Sequence, residues 1–408
     1  MRGFADGENK GLGAATADRW NLLREDLSLP VAVLSEARIA HNLAWMQDFV
    51  TRYGVKLAPH GKTTMAPQLF ARQIQGGAWG ITLATASQTQ AAYTHGVRRV
   101  LLANQLVGRR NMEIVADLLR DPGFSFCCVV DSVPNVQALA AYFADRRQSL
   151  DVLLELGVPG GRTGVRDDVQ LRAVLGAVAA SGGALRLRGL ELYEGVLTQE
   201  ADVRAFLRRA VGLVEELAEN GSFEARAPVI LSGAGSAWYD VVAEEFSQAR
   251  LPVPLDIVLR PGCYLTHDVG AYKASQSRID AHNPIARAMH SSLLPALQIW
   301  AYVQSIPEPD RAIIGMGKRD AAFDAGMPMP DRVYRPGAAG PEACPPHWEI
   351  TGMMDQHAYL RIAAGDAVAV GDMIAFDICH PCLTFDKWRV IPVVDEKFDV
   401  VDVIRTYF

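Results

Sequence analysis

Residues 150–157 read LDVLLELG, apolar except at Asp151, Glu155 and the closing glycine. The run is too short for a helix and suits a strand buried on both faces. A Gly-rich stretch, VPGGRTG, follows it, then a helix-length amphipathic segment over 166–180, then a second apolar run, RLRGLELY, at 186–193. The same unit repeats outward in both directions. Upstream lie VKLAPH (55–60), WGITLAT (79–85), RVLLANQ (99–105) and SFCCVVD (125–131); downstream lie VILSGAG (229–235) and DIVLRPGCY (256–264). Helical patterns at 63–75, 87–95, 109–120, 133–146, 200–219 and 237–247 separate them, several opened by cap residues such as Ser87 and Asp131 or Ser132. Eight βα units in roughly 230 residues predict a (β/α)8 TIM-type barrel over 36–275. The competing doubly wound sheet usually has fewer strands, and no GxGxxG opens the first βα turn.

Beyond about residue 275 the pattern changes. Pro and Gly become frequent in 306–346, and short β-like runs at 297–304, 311–315, 357–362, 373–378 and 388–394 have no long helices between them. This predicts a smaller, mostly-β domain over 276–408, with a long irregular loop around 316–348. The strand LPVAVL (29–34) precedes the first barrel helix, and residues 18–35 are expected to pack on the β domain. Residues 1–17 read as frayed.

Composition narrows the function. Half of the 408 residues are hydrophobic and 21% are charged, enough to build a large core. Lys plus Arg number 40 and Asp plus Glu 46, a net charge of −6, which argues against nucleic acid as a main partner. No apolar run approaches the ~20 residues needed to span a bilayer. The opening MRGFADGENKG has no apolar core of a signal peptide. Six cysteines in a chain this long make no disulfide framework; adjacent Cys127 and Cys128 read as core. A cytoplasmic enzyme acting on a small molecule is expected.

In a parallel barrel the catalytic groups sit on the loops at the C-terminal ends of the strands. Lys62 follows the first strand, in PHGKTTMAP (59–67), and the next lysine is Lys273. A solvated loop lysine is the plain alternative; a Schiff-base lysine needs a partly desolvated ammonium, which the mouth of a barrel offers. Ser232-Gly233-Ala234-Gly235-Ser236 after the seventh strand is either a tight turn or a loop whose bare N–H groups hold an anion at a helix start. Its place matches the common phosphate site of such barrels. Arg162 reads as a surface cation or as one aimed into the mouth to hold an oxyanion. Far downstream, Asp377-Ile378-Cys379-His380-Pro381-Cys382 reads as extended chain, which would put His380 and Cys382 on one face and Cys379 on the other. Imidazole plus thiolate suits an open zinc site. Packed side chains, or a Cys379–Cys382 redox pair, are the alternatives.

Together PHGKTTMAP, LELGVPGGRTGV (154–165), SGAGS (232–236), RPGCY (260–264) and CHPCLTFDKW (379–388) resemble the D-serine dehydratase and D-threonine aldolase group, fold-type III pyridoxal phosphate enzymes related to alanine racemase in fold. The resemblance runs from about residue 28 onward. It implies pyridoxal 5'-phosphate carried on Lys62, which also shuttles the α-proton, with Arg162 near the cofactor's phenolic oxygen and Tyr193 as an aromatic residue of the pocket. Ser232, Gly233, Gly235 and Ser236, with Gly262 and Tyr264 after the eighth strand, would form the phosphate-binding region. His380 and Cys382 would be the metal ligands, with zinc favoured by their chemistry. Dehydratases of the group carry Cys at the second ligand and D-threonine aldolases typically Asp, so Cys382 favours a dehydratase of a D-β-hydroxy amino acid, D-serine first. The resemblance also implies a homodimer. Retro-aldol cleavage and racemisation share the scaffold. A non-catalytic pyridoxal phosphate carrier would need neither the second domain nor the His-x-Cys pair.

Overall fold

Eight short strands hold the first half of the chain together in the computed structural model, which describes residues 20–224 and 227–408. The expected fraying of 1–17 lies outside the described residues. β1 (Val31–Ser35) precedes the barrel strands β2 (Lys56–Leu57), β3 (Ile81–Leu83), β4 (Arg99–Gln105), β5 (Ser125–Val130), β6 (Leu150–Leu156), β7 (Leu185–Leu192), β8 (Val229–Gly233) and β9 (Leu255–Leu259). All pair in parallel in the order β2-β9-β8-β7-β6-β5-β4-β3. Hydrogen bonds close the seam between the two ends. Trp79 N–H donates to Leu57 O at 2.7 Å and Thr82 N–H to Pro59 O at 2.9 Å. The expected (β/α)8 barrel is therefore present.

Side-chain alternation explains its two cores. Ala58, Leu101, Cys127, Val129, Leu153, Ile230 and Val258 point into the lumen. Their neighbours, among them Leu102, Cys128, Val130 and Leu154, face the outer helices. Adjacent Cys127 and Cys128 thus serve opposite faces of one strand. Gly189 shows how tightly β7 and β8 approach: its φ is +153°, and a Cβ there would lie 1.8 Å from Ile230 O.

The second half is antiparallel for the most part. β10 (Leu297–Glu308), β11 (Arg311–Ile314), β12 (Met329–Tyr334), β13 (Glu342–Ala343), β14 (Glu349–Met353), β15 (Ala358–Arg361), β16 (Met373–Asp377), β17 (Val390–Val394) and β18 (Val400–Arg405) build one sheet with β1, in the order β13-β12-β16-β10-β1-β17-β18. β11, β15 and β14 continue from the far end of β10. β1 pairs antiparallel with β10 and parallel with β17, then leads directly into the first barrel helix, Glu36–Tyr53, capped by Ser35. One expectation needs correction. The stretch 316–348 is not a continuous irregular loop, because β12 and β13 lie within it. Pro330, Asp331 and Arg332 hide the strand from a hydropathy reading, and the register shifts between Pro330 and Arg332. A proline there is tolerated because β13, two residues long, covers only Arg332 and Val333.

Candidate active site

At the C-terminal end of β2 the chain turns sharply. His60 leads into a 3-10 turn, Gly61–Thr63, and then the helix Pro67–Gln75 starts with proline at its first turn. A Cβ on Gly61 would lie 2.8 Å from the Phe70 ring and 2.9 Å from Ile81, so the turn requires glycine. This presents Lys62, exposed, at the mouth of a cavity of about 510 Å³.

Eight positions singled out in the sequence line that cavity: Lys62, Arg162, Tyr193, Gly235, Ser236, Gly262, His380 and Cys382. Barrel loops and the β domain therefore converge on one space. Arg162, on the loop after β6, stacks its guanidinium 4.9 Å from the centre of the Tyr193 ring. Burial pushes the Tyr193 hydroxyl above the usual phenol range. Ser232, Gly233 and Tyr264 are not among the lining residues. Ser232 Oγ donates to Val258 O at 3.0 Å inside the sheet, and a Cβ on Gly233 would stand 3.1 Å from Phe246. Tyr264 is buried, its hydroxyl accepting from Gln73 at 3.1 Å.

The loop after β8 differs from a free anion cradle. Ala234 takes a left-handed φ of +78°. Its N–H and that of Gly235 donate to the buried carboxylate of Glu194, at 3.1 and 2.7 Å. Only the outer part of the loop, with Gly262 opposite, faces the cavity. Ser236 Oγ accepts from Cys263 N–H at 3.1 Å and ties the two loops together.

The floor is charged. Arg260 and Glu191 form a buried ion pair, and Arg260 also donates to Leu192 O at 2.8 Å. His60 stands beside them with Nδ1 unpartnered. Burial, then the cations Lys62, Arg260 and Arg162, push its pKa well below the usual imidazole value. Glu155 accepts from Thr163 Oγ1 at 2.5 Å and from Gln105. Burial, then the charge of Glu191, raise its pKa to about 7.

The segment is extended only as far as His380, so the sequence reading fails at Cys382 alone. β16 ends at Asp377, and a short helix, Pro381–Phe385, begins directly after His380. Neighbouring Cys382 and Asp324 raise the imidazole pKa of His380, while Cys263, His380 and Thr63 lower that of the Cys382 thiol, and both side chains border the cavity. His380 Nδ1 contacts the Asp324 carboxylate at 2.8 and 3.0 Å. Cys379 points elsewhere, its thiol donating to Met327 O at 3.2 Å. Among the described residues no three His, Cys, Asp or Glu side chains are gathered around one point.

Several lining residues are given no role by the sequence reading, although Cys263 and Asp386 lie within RPGCY and CHPCLTFDKW. Cys263, Tyr272, Asn104, Gln88 and Asp386 all border the cavity. Asp268 caps the helix Ala271–His282 by accepting from Gly270, Tyr272 and Lys273 N–H groups, which fixes where Tyr272 enters.

Comparison with known proteins agrees with this architecture. The model of the alanine racemase N-terminal domain matches residues 34–266, and that of a putative serine dehydratase domain matches residues 296–394. The chain is 27% identical to a D-threonine aldolase of Arthrobacter sp over 374 residues, covering 90% of this chain and 88% of that one. It is 32% identical to the D-threo-3-hydroxyaspartate dehydratase of Delftia sp. (strain HT23), over 170 residues that span 41% of this chain and 44% of that enzyme. In fold it resembles the D-threonine aldolase of Filomicrobium marinum, at 24% identity and a TM-score of 0.77 over 96% of this chain and 98% of that one. The match over residues 34–266 takes in more than half of the sequence, and the chain belongs to the family of the alanine racemase N-terminal domain.

Proposed function

We propose that this protein is a pyridoxal 5'-phosphate-dependent, metal-assisted lyase of D-β-hydroxy amino acids, and that it converts D-serine to pyruvate and ammonia. One observation carries the reading: Lys62 of the barrel and the His380–Cys382 pair of the β domain line the same cavity.

The residues suit both groups. The cavity volume falls in the range of small-molecule sites. Gly235 and Gly262 leave bare backbone where a Cβ would meet Tyr193 at 2.9 Å or Thr63 at 2.6 Å. Ser236 and Gly262 would hold the cofactor phosphate, and Arg162, permanently charged, an anionic oxygen of its ring. Bound pyridoxal phosphate supplies an electron sink for charge developing at Cα. Lys62 Nζ is the group at the mouth that can take the Cα proton. His380 and Cys382 would hold a divalent ion, a Lewis acid of the kind that helps a poor leaving group such as hydroxide depart. Asp324 orients His380 for that task. A D-threo-3-hydroxyaspartate dehydratase has been solved as a variant in the metal-free form, which supports a metal in that relative. A homodimer is proposed on the family resemblance.

Retro-aldol cleavage is the second reading, favoured by the match to the Arthrobacter D-threonine aldolase over 90% of this chain. Product analysis separates the two. D-serine should yield pyruvate and ammonia. Glycine plus acetaldehyde from D-threonine, without a keto acid, would mark an aldolase. L-alanine from D-alanine would mark a racemase.

A further inference from the structure

Arg162 is exposed on the loop between β6 and the helix Asp168–Ala179, yet the chain on both sides of it is held. The clamp is a second arginine further along. Arg166 Nη2 donates to Gly161 O at 2.9 Å, and Nη1 donates to Gly164 O at 2.8 Å and to Thr163 O. One of these carbonyls directly precedes Arg162 and the other two follow it. The backbone at Arg166 is itself fixed. Its N–H donates to Gln170 Oε1 at 2.8 Å. The preceding Val165 donates its N–H to Glu155 O at 2.8 Å and accepts from Gly157 N–H at 3.0 Å.

Glycines make room for the guanidinium. A Cβ on Gly157 would lie 1.7 Å from Arg166 Nη1 and 2.2 Å from Thr163 O. At Gly164, where φ is +93°, a Cβ would lie 2.5 Å from Gly157 N. Neither position admits a side chain while Arg166 lies beneath the loop. Two carboxylates brace the same arch, since Thr163 Oγ1 donates to Glu155 at 2.5 Å and Gly164 N–H to Asp131 at 3.0 Å. Arg166 is the one that reaches both flanks of Arg162. A planar guanidinium suits this task, because its rigid fork meets several carbonyls at once.

We propose that Arg166 is a positioning residue for Arg162. It holds the arch so that the Arg162 guanidinium stays 4.9 Å from the centre of the Tyr193 ring, at the edge of the cavity, where it meets an anionic oxygen of a bound pyridoxal ring. The last step rests on the reading that the cavity takes pyridoxal phosphate. The clamp itself does not.

Trypsin reads the clamp without cofactor. The full chain, freed of pyridoxal phosphate, is digested briefly under native conditions, and the cut after Arg162 is followed by mass spectrometry. Arg166→Met keeps the apolar stem and loses every donor, so this cut should quicken at least about tenfold, with cleavage elsewhere and far-UV dichroism unchanged. Arg166→Lys keeps the charge without the fork and should fall between the two. A titration of visible absorbance then reads the consequence. Arg166→Met should bind pyridoxal phosphate about fivefold or more weakly and shift the cofactor's absorption maximum, which a general loss of stability would not do. In an Arg162→Ala background the same substitution should add nothing, because no guanidinium is left to position. An unchanged cut after Arg162 overturns the clamp. Losses that add in the double variant overturn action through Arg162. A wild-type chain that binds no pyridoxal phosphate, with the cut still quickened in Arg166→Met, overturns the cofactor reading and upholds the clamp.

Discussion

The Glu194 carboxylate accepts the backbone N–H of Gly235 at 2.7 Å, from a fully buried position on the turn after β7. With the second bond, from Ala234, it consumes two donors of the loop that the sequence suggests as an anion cradle. Glu194 therefore shapes the loop, and the outer residues are left to meet the proposed cofactor phosphate. In Glu194→Gln the side-chain nitrogen can only donate, so one loop N–H faces another donor. An unsatisfied buried donor costs about 1–3 kcal/mol. Pyridoxal phosphate should dissociate on the order of tenfold more readily, measured by visible absorbance after dialysis, with far-UV dichroism unchanged. Equal retention would mean that the loop does not carry the phosphate.

Asp324 should matter to the metal although it is not proposed as a ligand. Its carboxylate accepts from His380 Nδ1, which leaves Nε2 for coordination. Asp324→Ala should weaken zinc binding about 10–100-fold in a chelator competition. Unchanged affinity would show that His380 is oriented by other contacts.

Glu155 predicts a pH dependence of stability. Its pKa rises from 4.5 to about 7 on folding, by burial first and the Glu191 charge second. Between these values the folded chain holds a proton that the unfolded chain has released. Stability therefore declines as pH rises from about 5 to 7, by at most about 3 kcal/mol from this group. Glu155→Gln removes the titration and should flatten that part of the profile of melting temperature against pH. A profile as steep as that of the wild type would remove Glu155 as its source.

The barrel is legible in the sequence because its strands are buried on both faces and so appear as unbroken apolar runs. β5 and β6 are the clearest cases. β12 is not legible, since Pro330, Asp331 and Arg332 occupy a sheet margin where packing does not demand apolar residues. Candidate site residues at strand ends, such as Lys62 and Arg162, follow from barrel geometry alone. Ser232 and Gly233 still lie within β8 and do not border the cavity. The contacts of Glu194 and Asp324 are invisible along the chain. Asp324 and His380 are 56 residues apart, and Cys263 and Cys382 are 119 apart. No local periodicity encodes such meetings.

In the proposed function Lys62 and the His380–Cys382 pair cooperate on a β-hydroxyl substrate, and D-serine turnover in deuterated water tests this most directly. Pyruvate and Cα–H exchange are measured on the same enzyme, zinc-loaded and after verified metal removal. Removal should abolish pyruvate formation, because hydroxide then departs without a Lewis acid. Exchange at Cα should persist, since Lys62 abstracts that proton without help from His380 or Cys382. Undiminished pyruvate from the metal-free enzyme would contradict the account and return the His380–Cys382 pair to a packing role.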